Sequence, residues 1–519
     1  MSERDQRRTA WRRPAVAGLA GTAVLTLILS LESTFVRGLP FVPVAIAQRL
    51  VRITSGQVNS FFIARLGYWA ERLALLGTAV GVAVSGAVAG VVVTAISRGR
   101  GGRGRWLWPM SLLPLWAASV LLYVQYPQNL QRPGFALWTL PAYVAAGGVA
   151  GWLASTRATE VEDPSRRWLL RSGLIGGAGI VLGVANLSRL VYRRPDPGDR
   201  RLVVPNLIHR AEPRIVIPGD AAFDRIPGLT PEITSNARHY VVDEELIDPD
   251  IDPASWRLNV RGLVERSLSL TYRELRALPA VERYQTLECI SNRVGGHLMS
   301  TARWTGVPLT RILEMAGVKP GAVEVAFHAS GGYSDSLPLE QAMDDSTLIA
   351  IGMNGYVLPR AHGFPARLLS VGTYGMKNPK WLDGIEVVDR PYRGFWEQRG
   401  WSKPAVVRTE SRIDVPTGSV TVRQVVTVAG VAIAGDRGIS NVEVSTDGGV
   451  TWNIADLKSP LGPYTWRLWM YRWILPAANE QAVVVRATDG NGAVQTAHEV
   501  DVYPSGATGY DRVDVTAVA

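Results

Sequence analysis

The chain has 519 residues with a single cysteine; 47% of it is hydrophobic and 19% charged, and the net charge is +10. One cysteine excludes an intramolecular disulfide, so stability in an oxidising compartment must rest on packing. The positive charge is local: residues 1–105 hold 14 Lys+Arg against 4 Asp+Glu and the remainder holds 41 of each, a pattern of membrane-flanking arginines that gives no ground for a nucleic-acid partner.

This length predicts two or three domains. Five uncharged runs, residues 15–31, 73–96, 106–131, 133–156 and 172–188, come first. A spanning helix needs about 20 apolar residues, so residues 1–191 read as an all-α transmembrane bundle of about five helices. Arginines cluster at Arg4–Arg13, Arg98–Arg105 and Arg157–Arg167, which fall on one side of such a bundle. The positive-inside rule makes that side cytoplasmic, giving a multi-pass cell-membrane protein whose C-terminal two-thirds is extracytoplasmic. The loop 37–65 predicts an amphipathic helix around Arg49 and Arg52 on the outer face. Ser165-Arg166-Arg167-Trp168-Leu169-Leu170-Arg171 is similar to a twin-arginine export signal; ordinary membrane-flanking arginines are the alternative.

Residues 192–233, rich in Pro, Gly and Arg, read as a linker. Residues 234–404 mix short strands with short helices, at 256–260, 271–278 and 308–316 with Gly317 as a stop, and predict an α+β domain. Residues 405–519 alternate apolar and polar residues over 420–431 and 439–445, with a Thr446-Asp447-Gly448-Gly449 turn, and predict an all-β sandwich.

Cys289 ends a strand-like run and opens a polar turn, CISNRVGG, followed by STARWTGVPL. A lone cysteine is most often a small buried hydrophobe, but a thiolate at a strand end is also a soft metal ligand. His362-Gly363-Phe364-Pro365-Ala366-Arg367 precedes a Gly-rich turn and Asn378-Pro379-Lys380-Trp381-Leu382. Fixed cations around glycine turns suit a phosphate-bearing cofactor. CISNR with STARW, HGFPxR and KWL, in this order, resembles the sulfite oxidase family of molybdopterin-dependent oxidoreductases over residues 234–504.

The resemblance implies a molybdenum cofactor, molybdenum on a pyranopterin dithiolene, with Cys289 as the metal ligand. It implies cofactor contacts from the first loop, Tyr240, Val241, Val242, Asp243 and Glu244, and from Asn292, Arg293, His362, Arg367, Asn378, Pro379 and Lys380. It implies an immunoglobulin-like C-terminal domain, a candidate homodimer surface, and oxygen-atom transfer to or from a small-molecule substrate, with molybdenum cycling between Mo(VI) and Mo(IV). Three positions depart from the sulfite-oxidising pattern. Asp243 and Val294 stand where arginines are expected. Trp401 aligns with the active-site tyrosine, with Tyr392 an imperfect substitute. With Cys289, Asp243 and Trp401 are the candidate catalytic residues, and Asp243 could relay a proton. An anionic substrate needs cations, so reduction of an S-oxide or N-oxide is expected ahead of oxidation of sulfite or another small molecule. A cofactor-free surface-binding protein on the same scaffold is the alternative of another class. The six histidines lie outside the apolar runs, which excludes a bis-histidine haem there, so an external quinone or cytochrome is the expected electron partner.

Overall fold

The computed structural model describes residues 12–35, 49–51, 54–66, 69–97, 107–117, 134–155, 196–210, 219–243, 245, 248–421, 425–474 and 480–518. The chain divides into two compact units. One comprises Met1–Ile53, Trp69–Pro195 and Glu244–Ile247; the other Thr54–Tyr68, Asp196–Asp243 and Asp248–Ala519.

In the first unit, helix Arg12–Phe35 packs on Trp69–Ser97 and on Gly134–Ser155. The contacts run through small residues. A Cβ added to Gly18 would collide with the Gly86 carbonyl, and one added to Gly21 would meet Ala146 and Ala150. Small residues let apolar helices approach closely where no hydrophobic drive separates them from their surroundings. Away from that contact, Leu76, Val80, Val84, Val88, Val92 and Ile96 recur every four residues and are about half exposed. Among the described residues, only Leu76–Ser97, 22 residues long, has the length and apolarity to cross a membrane. The expected five-helix bundle is therefore not supported. Pro14–Leu29 and Thr139–Ala154 are shorter apolar helices. The described part of the third run, residues 107–117, opens as turns at 108–112 and is helical over 113–117, with Pro109 and Pro114 in it. The fifth run and the arginine motif at 165–171 lie outside the described residues.

Of the helix expected around Arg49 and Arg52, residues 49–51 are described and are helical; in the second unit a separate helix forms at Gly56–Leu66. Its first residue packs against the Arg399 carbonyl and the Trp401 ring, leaving no room for a Cβ at Gly56. The described part of the expected linker is built into this unit. Leu207–His209 pairs in parallel with Ala280–Glu288, and Asp224 binds the buried Lys458 amine at 2.7 Å. Its Pro and Gly content shapes turns, while Phe223 and Leu207 still anchor it in the core.

Two sheets form the α+β part. One has the order Leu207–His209, Ala280–Glu288, Met299–Pro308, Leu348–Met353, Arg367–Leu369; the other runs Leu268–Thr271, Arg257–Gly262, Leu382–Val388, Glu324–Ala329, Ser334–Pro338. Helix Tyr272–Ala277 starts at a capping box made by Thr271 and Glu274. Helix Leu309–Ala316 stops at Gly317, whose φ of 69° suits glycine. Leu258, Leu275, Ile312, Leu313, Phe327 and Ile385 fill the shared core. The C-terminal part is a two-sheet β-sandwich closed over Val428, Trp469, Val442, Val483 and Val485. The expected strand at 420–431 divides into Ser419–Thr421 and Val425–Ile433.

Candidate functional site

Cys289 follows strand Ala280–Glu288, whose last four residues are buried, and is itself half-buried at the end of that strand. A tight turn follows: Asn292 N–H donates to the Cys289 carbonyl at 2.9 Å, and Cys289 N–H donates to Leu298 O at 2.9 Å. The Asn292 side chain locks this turn. Its Oδ1 accepts from Leu298 N at 2.9 Å, and its Nδ2 donates to Glu288 at 3.0 Å and Glu410 at 3.4 Å. Buried Arg412, from the sandwich, donates to Gly296 O at 2.8 Å, to Asp414 at 2.7 Å and to Thr230 at 2.8 Å. The sandwich thus pins the cysteine turn from behind.

Burial pushes the Cys289 thiol up to about 11, against hydrogen bonds from Ser291 that lower it. A neutral thiol at neutral pH is what burial alone produces; a soft cation in its place would displace the proton. Burial also raises Glu288, and it raises Glu410 well above the usual carboxylate range, with the charge of Glu288 adding to the effect.

The second half of the site turns on Gly363, at φ 111°. A Cβ there would lie 3.0 Å from Lys380 Cβ and 3.1 Å from Arg367 Cβ, so glycine is what lets these two cations converge. Arg367 donates to His362 O at 3.2 Å and Asn378 O at 3.1 Å, and its guanidinium lies 5.3 Å from the centre of the Trp304 ring. Its buried Nε has no partner among the described residues. Lys380 donates to Ala361 O at 2.9 Å and is ion-paired with Asp243. His362 Nε2 lies 2.8 Å from Asn236 O. A carbonyl only accepts, so Nε2 carries the hydrogen. Burial holds His362 down at about 4, so it is a neutral donor and adds no positive charge.

The structure brings Arg367, Lys380, His362 and Asp243 together around Gly363. Tyr240 N–H donates to Ser300 Oγ at 3.1 Å, and loss of solvent, with Cys289 nearby adding to it, raises the Tyr240 hydroxyl well above its ordinary value. Val241 is exposed and Val242 half-buried; Glu244 lies outside the described residues. Asn378 spends its side chain internally, accepting from Ser370 N at 2.7 Å and donating to Tyr374 O at 3.1 Å; Pro379 O accepts from Leu368 N at 2.9 Å. These residues shape the loop before Lys380. The Asn292 amide is likewise committed to its own turn. Arg293 lines an open cleft beside Val294. Trp401 is buried in the apolar cluster that holds Ile290 and packs against Val294, and Tyr392 hydrogen-bonds Ser334 at 2.8 Å.

Sequence reasoning missed His239. Its ring stacks on Tyr240 and meets His362 edge-on at 5.0 Å and Trp304 at 5.6 Å. It also missed Glu410, which reaches the cysteine turn from the sandwich, and the buried Lys377, which is held by Asp335 at 2.7 Å and by Glu397. His239 stands beside Tyr240, so the first loop offered a signal. Glu410 offered none, since only the packing of the sandwich brings it to Asn292.

These features define a class: an oxidoreductase cofactor site with a half-buried thiol as candidate metal ligand at one end and fixed cations at the other. A soft-metal cofactor carrying a phosphate fits it, through the Cys289 thiol, the Arg367–Lys380 pair and the unsatisfied Arg367 Nε. Residues 245–396 match the oxidoreductase molybdopterin binding domain, and 403–515 the Mo-co oxidoreductase dimerisation domain. Human mitochondrial sulfite oxidase is 33% identical over 296 residues, 48% of this chain and 54% of that protein. An uncharacterized oxidoreductase of Bacillus subtilis (strain 168), YuiH, is 35% identical over 150 residues, 29% of this chain and 74% of that protein. Tomato (Solanum lycopersicum) NADH nitrate reductase is 29% identical over 322 residues, 50% of this chain and 35% of that protein. The crystal structure of the sulfane dehydrogenase SoxCD from Paracoccus pantotrophus shares the fold at a TM-score of 0.50 and 23% identity, over 59% of this chain and 88% of that one. The chain belongs to the sulfite oxidase family of molybdopterin-dependent oxidoreductases, and its cofactor is the molybdenum cofactor. It spans about half the length of the sulfite oxidases it matches.

Proposed function

We propose that this protein is a membrane-anchored, extracytoplasmic molybdenum oxidoreductase that reduces an S-oxide or N-oxide in preference to oxidising sulfite. When bound, the cofactor supplies oxygen-atom transfer and holds the two electrons it needs. For a sulfoxide the balance is R2SO + 2 e⁻ + 2 H⁺ → R2S + H2O, with electrons from an external quinol or reduced cytochrome. Cys289 holds the metal; Arg367 and Lys380 hold the phosphate end, with His362 as a neutral donor nearby. Asp243 is paired with Lys380, so a proton-carrying role requires that pair to open.

The observation that carries the choice of substrate is Val294. It is half-buried against the apolar cluster of Ile290 and Trp401, where an arginine would favour sulfite. Arg293, beside it on the cleft, favours the second reading, sulfite oxidation. Anchoring is supported by the apolar Leu76–Ser97 and its exposed stripe. A homodimer is supported by the match to the dimerisation domain.

The test is metal analysis and turnover of full-length protein. We expect one molybdenum per chain, reduction of a sulfoxide or N-oxide with reduced viologen, and neither in Cys289→Ser. Wild-type turnover in that variant would end the assignment.

A further inference from the structure

One turn sets two histidines side by side. Thr234 N–H donates to Thr301 O at 2.8 Å, and the N–H groups of Arg238 and His239 both donate to Ser235 O at 2.9 Å. The Asn354 amide donates to Thr234 O at 2.9 Å and to Asn236 Oδ1 at 2.8 Å, which ties the turn to the end of strand Leu348–Met353. Asn236 O is also the acceptor that fixes His362, and the same turn sets the His239 ring 5.0 Å from the His362 ring. Trp304 joins His239 to the cations: its ring lies 5.6 Å from the His239 ring and 5.3 Å from the Arg367 guanidinium. His239 therefore belongs to the end of the site where Arg367 and Lys380 converge.

His239 is 4% exposed, and its two ring nitrogens differ. Nδ1 lies 3.2 Å from the Tyr240 carbonyl. A carbonyl only accepts, so Nδ1 carries the hydrogen and Nε2 presents a lone pair. Nε2 is buried and has no hydrogen-bond partner among the described residues. Burial, then the neighbouring His362, Arg367 and Lys380, holds His239 well below its ordinary pKa, with the Tyr240 bond opposing. Protonation is thus a poor way to satisfy Nε2. A buried acceptor left unmet is destabilising, so it calls for a ligand or a functional reason.

Arg367 Nε, a donor, is unmet in the same cluster. An ionised phosphate satisfies that donor, since its oxygens accept. It has no hydrogen to give to His239 Nε2. The two atoms therefore fit different parts of one ligand. A pyranopterin carries ring N–H groups and an amine as well as its phosphate, so it offers both.

We propose that His239 is a positioning residue for the cofactor: its Nε2 accepts a hydrogen bond from an N–H of the pterin ring system, while Arg367 and Lys380 hold the phosphate. The role is the same for either direction of oxygen-atom transfer.

The test is cofactor release from full-length holoprotein. Wild type and three variants are dialysed; molybdenum is measured by mass spectrometry and pterin by the fluorescence of its oxidised form. Circular dichroism and urea unfolding check the fold. The variants separate the two ring nitrogens. In His239→Asn the amide reaches the Nδ1 position and keeps the bond to Tyr240 O. In His239→Gln the longer amide reaches the Nε2 position, where its oxygen accepts. His239→Phe keeps a ring and removes both nitrogens. His239→Asn and His239→Phe should release cofactor roughly 3- to 10-fold faster than wild type, the scale of one neutral hydrogen bond, and His239→Gln should stay within about two-fold of it. Release from wild type should not change between about pH 6 and pH 8, the range in which an ordinary histidine titrates. Retention by His239→Asn but not by His239→Gln would make the ring a prop for Tyr240 and overturn the proposal, as would equal release from all four proteins. Wild-type retention that tightens as pH falls, with no such change in His239→Asn, would also overturn it, in favour of a charged imidazole that donates to the phosphate. If His239→Phe does not fold, the comparison of His239→Asn with His239→Gln decides alone.

Discussion

Asp243 pairs with Lys380, and both side chains are largely buried, 3% and 12% exposed. The first loop therefore neutralises the cation that the family resemblance assigns to the cofactor phosphate. Removing the lysine leaves a buried carboxylate alone, at a cost of about 3–5 kcal/mol. Lys380→Gln should lower stability by that order and abolish cofactor retention. Asp243→Asn removes a competing anion and should retain at least the wild-type molybdenum and pterin content after gel filtration. A variant with full cofactor content but no turnover would return Asp243 to a proton-carrying role.

Arg412 couples the sandwich to the cysteine turn through Gly296 O, Asp414 and Thr230. Arg412→Leu leaves the buried carboxylate of Asp414 uncompensated. Denaturant unfolding should show a loss of about 3–5 kcal/mol. Molybdenum content should fall with it, although Arg412 is not a ligand. A stable variant with normal molybdenum would show that the turn holds its shape without this tether.

His362 is held at about 4, chiefly by burial, with Arg367 lowering it further while its bond to Asn236 and the charge of Asp196 oppose. A base with a lowered folded pKa binds fewer protons folded than unfolded. Its contribution is present above the unfolded value, about 6.5, and is lost as pH falls toward 4. The full span is about 3 kcal/mol by linkage. Asp335, raised by burial to about 7, works in the opposite direction as pH rises. The useful quantity is therefore wild type minus His362→Gln. That difference should shrink between pH 7 and pH 4.5 in urea unfolding, and a difference independent of pH would show that His362 titrates normally.

Much of the second unit is legible in the chain. Thr271, Glu274 and Gly317 announce helix ends by local chemistry, and the Thr446–Gly449 turn is set by Asp447. Cys289, His362, Arg367 and Lys380 are readable because their spacing is a motif. Glu410 and Arg412 are not, because their roles arise only when the sandwich packs on the turn. The pairing of Asp243 with Lys380 is hidden for the same reason: residues far apart in sequence meet only around Gly363. The five-helix reading rests on composition, and counting uncharged residues does not register Pro109 and Pro114, which fall where the described part of the third run is turns and a short helix.

Sulfite should be a poor substrate, and Val294 sets the limit. Sulfite carries between one and two negative charges near neutral pH, and desolvating it beside a metal centre needs compensating donors. Arg293 remains on the cleft, yet Val294 offers only methyl groups and packs toward Ile290 and Trp401. A hydrogen bond to a charged group contributes about 1.5–3 kcal/mol, so one missing arginine weakens anion binding by roughly 10- to 100-fold. Asp511, close over Gly295, adds repulsion from the same side. Val294→Arg should therefore lower the KM for sulfite by roughly that factor. Steady-state kinetics of wild type and Val294→Arg with sulfite decide the matter. A wild-type enzyme that oxidises sulfite with a sub-millimolar KM, unimproved by the arginine, would show that Arg293 alone suffices and that the reaction runs in the oxidising direction.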